Sequence, residues 1–312
     1  MDNWSMKRYL DMNASELAGI EKDELLYAIR ASEGRILVSE CIVTTQPLLG
    51  GITNAEFAAS QGADILLLNL FDVQKPYIAG LPETTAPHET LCEIKRMTGR
   101  VIGVNLEAVD SDWAVTHNDF WQMTSGRAAA SDNARKLYEM GARIVVLTGN
   151  PNNGVSNKAL AAALKTIHDA LGDKLVLVTG KMHGAGIVRE SGGSLITEQD
   201  IALFVENGAD VVLLPAPGTI PGMGEEKAAK LIDCIHRLGA LAMTAIGTSQ
   251  EGADKETIRR IALMSKMAGA DIHHIGDTGL MGMALPENIF AYSTAIRGIR
   301  HTYARIARSI LR

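Results

Sequence analysis

Short apolar segments alternate with amphipathic segments along almost the whole chain. Eight segments are apolar on both faces, which is typical of parallel strands that helices cover. They span residues 35–43, 64–71, 100–109, 143–150, 175–182, 210–215, 241–248 and 271–277. The segments 131–140, 157–171, 225–238 and 255–268, which lie between strands, have the apolar spacing of helices. The pattern therefore predicts eight strand–helix units in a row.

Glycine stands between the end of a helical pattern and the start of a strand at eight places, 28 to 42 residues apart. The eight are Gly34, Gly62, Gly99, Gly141, Gly172, Gly208, Gly239 and Gly269. A helix that ends at glycine and leads directly into a buried strand is the αβ turn of a βαβ unit. Eight such units favour a (β/α)8 barrel over a doubly wound sheet, which usually has about five or six strands. An open α/β sheet with additional units is the alternative.

We therefore predict an α/β protein with a single (β/α)8 TIM barrel over residues 34–312 and an N-terminal helical extension over residues 1–33. Two short amphipathic patterns in the extension, 15–20 and 22–31, are expected to cover the N-terminal floor of the barrel. The last helical pattern, 286–312, is expected to present a solvated basic face, with a protein-partner surface as the alternative. Its arginines are Arg297, Arg300, Arg305, Arg308 and Arg312.

Composition and charge narrow the class of protein. The chain has 312 residues, of which 46% are hydrophobic and 21% charged, as in a globular protein with a large core. A net charge of −6 without a run of Lys or Arg argues against a nucleic-acid partner. Cys41, Cys92 and Cys234 lie at scattered spacings, which is typical of reduced thiols in the cytoplasm. We expect a cytoplasmic homo-oligomer with no signal peptide and no membrane partner, because the first thirty residues are charged throughout and no apolar run approaches a membrane span.

Polar residues at the C-terminal ends of the strands are the candidate functional residues, because the active sites of such barrels lie there. Side chains in a strand alternate between its two faces. Three pairs share one face while the opposite face is mostly apolar or glycine, so we predict that they point into the barrel mouth together. The pairs are Asn105 with Glu107, Thr148 with Asn150, and Thr179 with Lys181. Asn69 ends strand two, and Glu40 of strand one can face either way because its neighbours on the same face, Val38 and Ile42, are apolar.

A lysine and a glutamate in so enclosed a place indicate chemistry. A buried charge is costly unless it is paired, so we predict that Glu107 and Lys181 are partners. The lysine would form a Schiff base with a carbonyl substrate, exchange protons beside a carbonyl, or bind a carboxylate or phosphate. A buried ion pair that only fixes the loops is the alternative.

Histidines offer further candidates. His273 and His274 are adjacent, so only one faces inward, and taking the face of Gly276 as inward selects His274. It is predicted as a catalytic group or ligand, with a satisfied core histidine as the alternative. His183 lies in a glycine-rich run and is a candidate for acid–base work or substrate binding.

A divalent metal is the weaker hypothesis for this site. Its ligands would be Glu107, Asp110 and His274, which have the donor types that such ions use. No His-x-His or His-x-x-x-His spacing appears in the sequence. We therefore predict no cofactor, and keep a metal as the alternative.

The end of strand eight leads into a glycine-rich loop. Gly276, Gly279 and Gly282 lie in this loop, and Pro286 begins the last helical pattern. Glycines let a backbone come close to a ligand, and the start of a helix presents unpaired N–H groups. This combination predicts an anion site, most often for a phosphate.

The segment Ala245-Ile-Gly-Thr-Ser249, followed by Gly269-Ala-Asp-Ile-His-His-Ile-Gly276, resembles the phosphate-binding half of the common (β/α)8 superfamily. Tryptophan-biosynthesis barrels, thiamine-phosphate synthase, and sugar-phosphate epimerases and aldolases belong to that superfamily. Their phosphate rests on glycines after strands seven and eight and on a short helix N-terminus. The resemblance implies phosphate contacts at Gly247, Thr248, Gly276, Asp277 and Gly279. Asp277 departs from the pattern, because an anion stands where those families have a small neutral residue.

The whole chain also looks like a bacterial TIM-barrel group with the ending Ile-Gly-Asp…Met-Ala-Leu-Pro-Glu-Asn-Ile. Members of that group are labelled phosphonomutase-like or haloacid-dehalogenase-like. This resemblance covers most of the chain and implies no particular activity. The Asp-rich metal-binding loop of a true phosphonomutase is not found in this sequence.

Three functions remain open from the sequence. The first is an enzyme that acts on a small phosphorylated, sugar-like metabolite by carbon-acid chemistry, as an isomerase, epimerase or aldolase. Lys181 would be its base or nucleophile, Glu107 the partner, and the asparagines would orient substrate hydroxyls. The second is a metal-assisted hydrolase or lyase, and the third a non-catalytic barrel that binds a metabolite and regulates a partner.

Overall fold

The computed structural model describes residues 7–109, 124–148, 155–184 and 195–312. Its eight strands pair in sequence order, all parallel, and β1 also pairs with β8, so the sheet closes into a barrel. The strands are β1 (Ile36–Ile42), β2 (Ile65–Asn69), β3 (Val101–Leu106), β4 (Ile144–Leu147), β5 (Val176–Gly180), β6 (Val211–Pro215), β7 (Leu241–Ile246) and β8 (Ile272–Ile275). The predicted (β/α)8 fold is confirmed.

Helices follow the strands and form the outer layer. The helices in the described ranges are α1 (Ala14–Gly19), α2 (Lys22–Arg30), α3 (Asn54–Ser60), α4 (Thr90–Thr98), α5 (Ser131–Glu139), α6 (Asn157–Leu171), α7 (Glu198–Glu206), α8 (Glu225–Arg237), α9 (Lys255–Met267) and α10 (Pro286–Ala307). Capping boxes begin α3 at Thr53 and α7 at Thr197, where each hydroxyl accepts from an otherwise unpaired N–H. None of the helices in the described ranges has the length and apolar character that a membrane crossing requires.

The repeated glycines lie where the helices end. Seven of the eight have positive φ, a region that side chains other than glycine rarely occupy. Gly172 is the exception, with φ −64°. At Gly34 a Cβ atom would lie 2.5 Å from the carbonyl oxygen of Ala270, so this turn also needs the missing side chain for space. These turns set the start of each strand, and therefore which residues reach the opposite rim.

Two apolar layers result from the alternation of side chains along the strands. The inner layer contains residues such as Val38, Leu67 and Val178, and the outer layer contains their neighbours in sequence, which pack against the helices. The N-terminal extension completes the inner layer. Tyr9, Leu17 and other buried residues of the extension belong to the same cluster as the inner strand residues. The expectation that the extension covers the barrel floor is confirmed.

The C-terminal helix differs from the expectation of a long solvated basic helix. It ends at Ala307, and Gly298 breaks it with non-helical angles, φ 74° and ψ 165°. Arg297 and Arg305 are buried and both pair with Asp64, which lies just before β2. These two arginines therefore join the last helix to the barrel, because a buried guanidinium needs a carboxylate and backbone acceptors.

Candidate active site

A polar cavity of about 200 Å³ lies at the C-terminal ends of the strands. Side chains from strand ends and from the loops that follow them line it. They are Glu40, Asn69, Leu70, Asn105, Glu107, Arg127, Thr148, Met182, His183, Gly247, Glu251, Gly276 and Asp277. Eleven of these thirteen residues are polar, charged or glycine, so this end of the barrel offers hydrogen bonds where the floor offers an apolar core.

The predicted orientation of Thr179 and Lys181 is wrong. Val176 and Val178 belong to the inner layer of β5, so Thr179 faces the outer layer, where its hydroxyl donates to the Leu147 carbonyl at 3.1 Å. Lys181, two residues on, is 1% exposed and is not among the residues that line the cavity. The sequence rule fails here because both faces of a barrel strand are buried and apolar, so polarity does not reveal which face is inner.

Glu40 and His274 form a buried pair beneath the cavity. Both are on inward positions, since Val38 and Ile272 belong to the inner layer. The Nε2 atom of His274 lies 3.0 Å from Oε2 of Glu40. Because Glu40 lines the cavity and His274 is fully buried behind it, the histidine fixes the position of the carboxylate.

Asp277 occupies the rim beside this pair. Its Oδ2 accepts from Asn69 Nδ2 at 3.0 Å, and its Oδ1 accepts from the backbone N–H of Gly279 at 2.8 Å. Asn69 in turn accepts from Asn105 Nδ2 at 3.3 Å, so β2, β3 and the end of β8 share one chain of hydrogen bonds. Burial and the negative charge of Glu40 raise the pKa of Asp277 to about 7, against the lowering effect of these hydrogen bonds.

Glu251 adds a third carboxyl group to this side of the cavity. It lies in a 3₁₀ turn after β7, Gln250–Gly252, and only 5% of it is exposed. Burial, and next the charge of Glu40, raise its pKa against the lowering hydrogen bonds. A Cβ atom at Gly276 would lie 3.5 Å from Cδ of Glu251, so the carboxyl group packs against the residue that precedes Asp277.

Glu107 pairs with Arg127 on the β3 side of the cavity. The guanidinium of Arg127 donates to Oε1 of Glu107, and both side chains are buried. A backbone hydrogen bond also joins these two residues, since the Glu107 N–H donates to the Arg127 carbonyl at 3.0 Å. The sequence analysis predicts Lys181 as the partner of Glu107, whereas in the structure Arg127 forms the ion pair with Glu107.

Strained backbone surrounds the cavity. Four non-glycine residues have positive φ among the described residues, and three of them follow the ends of β2, β7 and β8. They are Leu70, Ser249 and Thr278. A non-glycine residue in this region costs about 1–3 kcal/mol, and such strain collects at functional sites. Here it sets the positions of Asn69, Glu251 and Asp277.

The predicted phosphate loop has few donors left for a ligand. The N–H of Gly276 donates to the Ile246 carbonyl at 2.9 Å, and the N–H of Gly279 donates to Asp277. The Thr248 hydroxyl donates to the Thr219 carbonyl at 3.0 Å. Gly247 and Gly276 line the cavity, where a side chain at Gly276 would meet the Ile246 carbonyl at 2.7 Å. The phosphate role of these residues stays a prediction.

The remaining predicted residues divide into two groups. Thr148 and His183 line the cavity, and burial lowers the pKa of His183 more than the nearby Glu40 raises it. Asn150 and Asp110 lie outside the described residues.

Metal ligands do not converge in the part of the chain that the structure describes. No group of three or more His, Cys, Asp or Glu side chains is placed there to hold an ion. Glu107 is paired with Arg127, and His274 with Glu40. The described residues therefore give the metal hypothesis no support.

Arg127 and Glu251 escaped the sequence reasoning. Both lie in loops, several residues after a strand ends, whereas the predicted site residues lie at or next to strand ends. The signal for Glu251 was a carboxylate directly after the Gly-Thr-Ser segment that follows β7. Arg127 carries no comparable signal, because it lies far along the chain from Glu107.

Fold and site together define a (β/α)8 barrel with a carboxylate-rich cavity at the C-terminal ends of its strands. The chain belongs to the family described as "Domain of unknown function (DUF7916)", whose model matches residues 10–312. A comparison with curated protein sequences found no match. The labels phosphonomutase-like and haloacid-dehalogenase-like are not confirmed.

Solved structures of the same fold include aldolases. An archaeal fructose 1,6-bisphosphate aldolase is 13% identical with a TM-score of 0.54, and the match covers 85% of this chain and 95% of that chain. The YdjI aldolase from Escherichia coli K12 is 10% identical with a TM-score of 0.50, and the match covers 91% and 98%. At these identities the likeness shows a shared fold.

Proposed function

We propose that the protein is an enzyme that acts on a small, hydroxylated, sugar-like metabolite by carbon-acid chemistry, of the lyase (aldolase) or isomerase type. One observation carries the proposal. Asp277 faces the cavity with its pKa raised to about 7, beside Glu40, which His274 holds by a 3.0 Å hydrogen bond. Two carboxyl groups in different environments are a frequent arrangement for acid–base work.

A carboxyl group with a pKa near the working pH suits proton transfer in both directions. It is populated in both forms, and neither transfer is strongly uphill. In an aldol cleavage, Asp277 as carboxylate takes the proton from the hydroxyl group while the carbon–carbon bond breaks, and the resulting acid protonates the enolate carbon. In an isomerisation, the same group takes a proton from the hydroxyl-bearing carbon beside a carbonyl and returns it to the carbonyl carbon, while the hydroxyl proton moves to the former carbonyl oxygen.

Amide and hydroxyl groups around the cavity would orient the substrate. We assign Asn105 and Thr148 to substrate hydroxyls, because both are buried at the rim and line the cavity. Oδ1 of Asn105 has no hydrogen-bond partner among the described residues. A buried carbonyl oxygen without a donor favours a ligand that supplies one.

We assign the phosphate of a phosphorylated substrate to Arg127. Among the described residues that line the cavity, it is the one cation. The predicted phosphate loop lies beside Asp277 and Glu251, whose carboxyl groups oppose an anion, and the N–H groups of Gly276 and Gly279 already donate within the protein. A guanidinium that shares its donors between Glu107 and a phosphate is compatible with its five N–H groups.

An aldol reaction is the first to test, since the fold relatives named above are aldolases. The Schiff-base version of the hypothesis required Lys181 in the barrel mouth, and its orientation does not favour that version.

Solvent-deuterium exchange tests the proposal without knowledge of the full reaction. The protein is incubated in D2O with a panel of sugar phosphates and their parent sugars, and NMR follows the loss of carbon-bound protons. We expect exchange in at least one compound, reduced by at least about 100-fold in Asp277→Asn. Glu83→Gln, in an exposed loop, is the control and should exchange as the wild type does. Binding of one or more compounds to the cavity, with no exchange in any compound at any pH, would contradict the enzyme and favour a metabolite-binding regulator.

A further inference from the structure

The cavity is electrically asymmetric. Glu40, Glu251 and Asp277 lie on the side formed by β1, β7 and β8, whereas the ion pair of Glu107 and Arg127 lies on the β3 side. Glu40 has His274 as its partner. No lysine or arginine of the described ranges lines the carboxylate side. Three carboxyl groups therefore share a buried space with the imidazoles of His183 and His274, and this excess of carboxyl groups is unfavourable unless protons or a cationic ligand reduce the charge.

An unsatisfied group points to a ligand rather than to protons alone. Oε2 of Glu251 is buried and has no hydrogen-bond partner among the described residues. Leaving a buried carboxylate oxygen without a donor is costly. Asn105 Oδ1 is a second buried acceptor without a donor in the same cavity. Backbone N–H groups of Glu251 and Thr278 donate to the Glu251 carboxyl group, but Oε2 has no donor of its own, so a ligand that brings N–H donors would satisfy it.

We propose that Glu251, together with Asp277, binds a protonated primary amine of the substrate, so that the substrate belongs to the class of amino sugars or amino sugar phosphates. This inference rests on the proposed function and adds the substrate class. An ammonium group carries one positive charge and three N–H donors. It therefore satisfies Oε2 of Glu251 and offsets the charge of the neighbouring carboxylates at once.

The position of the two loops makes the subsite specific. The Glu251 carboxyl group packs against Gly276, and a Cβ atom at Gly252 would lie 3.4 Å from Cγ2 of Thr278. The turns after β7 and β8 are thus in contact, and Ser249 and Thr278 hold them in strained conformations. A substrate whose amine binds to Glu251 and Asp277 and whose anionic group binds to Arg127 would bind in a single orientation. A bare metal ion is less suited, because no three ligands converge in the described ranges.

Paired probes test the inference by calorimetry. Glucosamine and glucose, and their 6-phosphates, differ in each pair by one ammonium group in place of a hydroxyl. We expect the amine to bind about ten-fold or more tightly than its partner, as one charged hydrogen-bonded contact provides. N-acetylglucosamine 6-phosphate, which has the nitrogen without the charge, should lose the preference.

The variant Glu251→Gln keeps the shape of the side chain and removes its charge. It should abolish the preference for the amine while the binding of glucose 6-phosphate stays within about two-fold. The matched control Glu83→Gln should leave both affinities unchanged. Binding of the amine should also release protons near pH 7, because a cation beside Asp277, which shares the cavity with Glu40, Glu251 and His183, lowers the pKa of Asp277. Calorimetry in two buffers of different ionisation enthalpy measures this release.

Three outcomes would overturn the inference. Equal affinity within each pair would do so, as would a preference that survives Glu251→Gln. Binding of magnesium chloride alone that depends on Glu251 and competes with the amines would assign the subsite to a metal instead. None of these results bears on deuterium exchange with neutral sugars, so the failure of this inference and that of the proposed function are distinguishable.

Discussion

Replacement of Asp277 by asparagine should stabilise the protein at neutral pH and not at acidic pH. The pKa of this carboxyl group lies at about 7 in the folded protein, against an ordinary value of 3.8. Between these values the folded chain binds a proton that the unfolded chain has lost. The free energy of unfolding therefore falls as the pH rises from about 4 to about 7, and stays lowered above that.

The size of this change in the free energy of unfolding follows from the difference between the two pKa values. Each pKa unit corresponds to about 1.4 kcal/mol, so ionisation of Asp277 costs the fold about 4 kcal/mol at neutral pH. Asp277 is only partly buried, and solvent that reaches it reduces the effect. We expect the variant to gain about 2–4 kcal/mol relative to the wild type between pH 4 and pH 8. Substitutions that remove a destabilising group from a functional site commonly stabilise the fold at the expense of activity.

Urea unfolding of wild type and variant across this pH range measures the difference. The control is Glu83→Gln, whose difference from the wild type should stay flat with pH. A flat difference for Asp277→Asn, or a variant that becomes less stable as the pH rises, would refute the reasoning. Either result would mean that Asp277 is an ordinary carboxylate.

Three further predictions concern the fold and the lysine. Asp64→Asn should lower the free energy of unfolding, measured by urea unfolding, by about 3–5 kcal/mol, because two buried guanidinium groups lose their shared carboxylate. An effect below about 1 kcal/mol would contradict this account of the last helix. Borohydride treatment with carbonyl substrates should leave no covalent adduct on Lys181 by mass spectrometry, because it does not line the cavity; an adduct lost in Lys181→Ala would restore the Schiff-base mechanism. Gly276→Ala should cost about 1–3 kcal/mol, because its Cβ would meet the Ile246 carbonyl at 2.7 Å. Gly50→Ala, with no atom within 4 Å, is the control and should change thermal stability little, so equal effects of the two would contradict the reasoning.

The barrel was predictable from the sequence because its signals are local and repeated. A glycine at the end of a helix and an apolar strand after it recur eight times, and each instance supports the others. Only a barrel or an unusually large sheet accommodates that many units. The cavity residues of β1, β2 and β3 followed from the position of active sites in such barrels. Their roles remain predictions.

The partners of the charged residues were not predictable. The pairing of Glu107 with Arg127 depends on how the loop between them returns to the barrel, which no periodicity encodes. The orientation of Lys181 depends on the stagger of β5 relative to its neighbours, and both faces of that strand are apolar. Similarly, the sequence pattern predicts that Arg297 and Arg305 are surface charges. Only the three-dimensional structure shows that both pair with Asp64, just before β2.

The central claim is that Asp277 holds its proton up to neutral pH at the rim of the cavity. The most direct test is a titration of its side-chain carboxyl carbon by NMR in protein labelled with ¹³C at that position of aspartate. The resonance that disappears in Asp277→Asn assigns the signal. The account predicts a midpoint of about 7. A midpoint below about 5, in the range of ordinary aspartates, would contradict it.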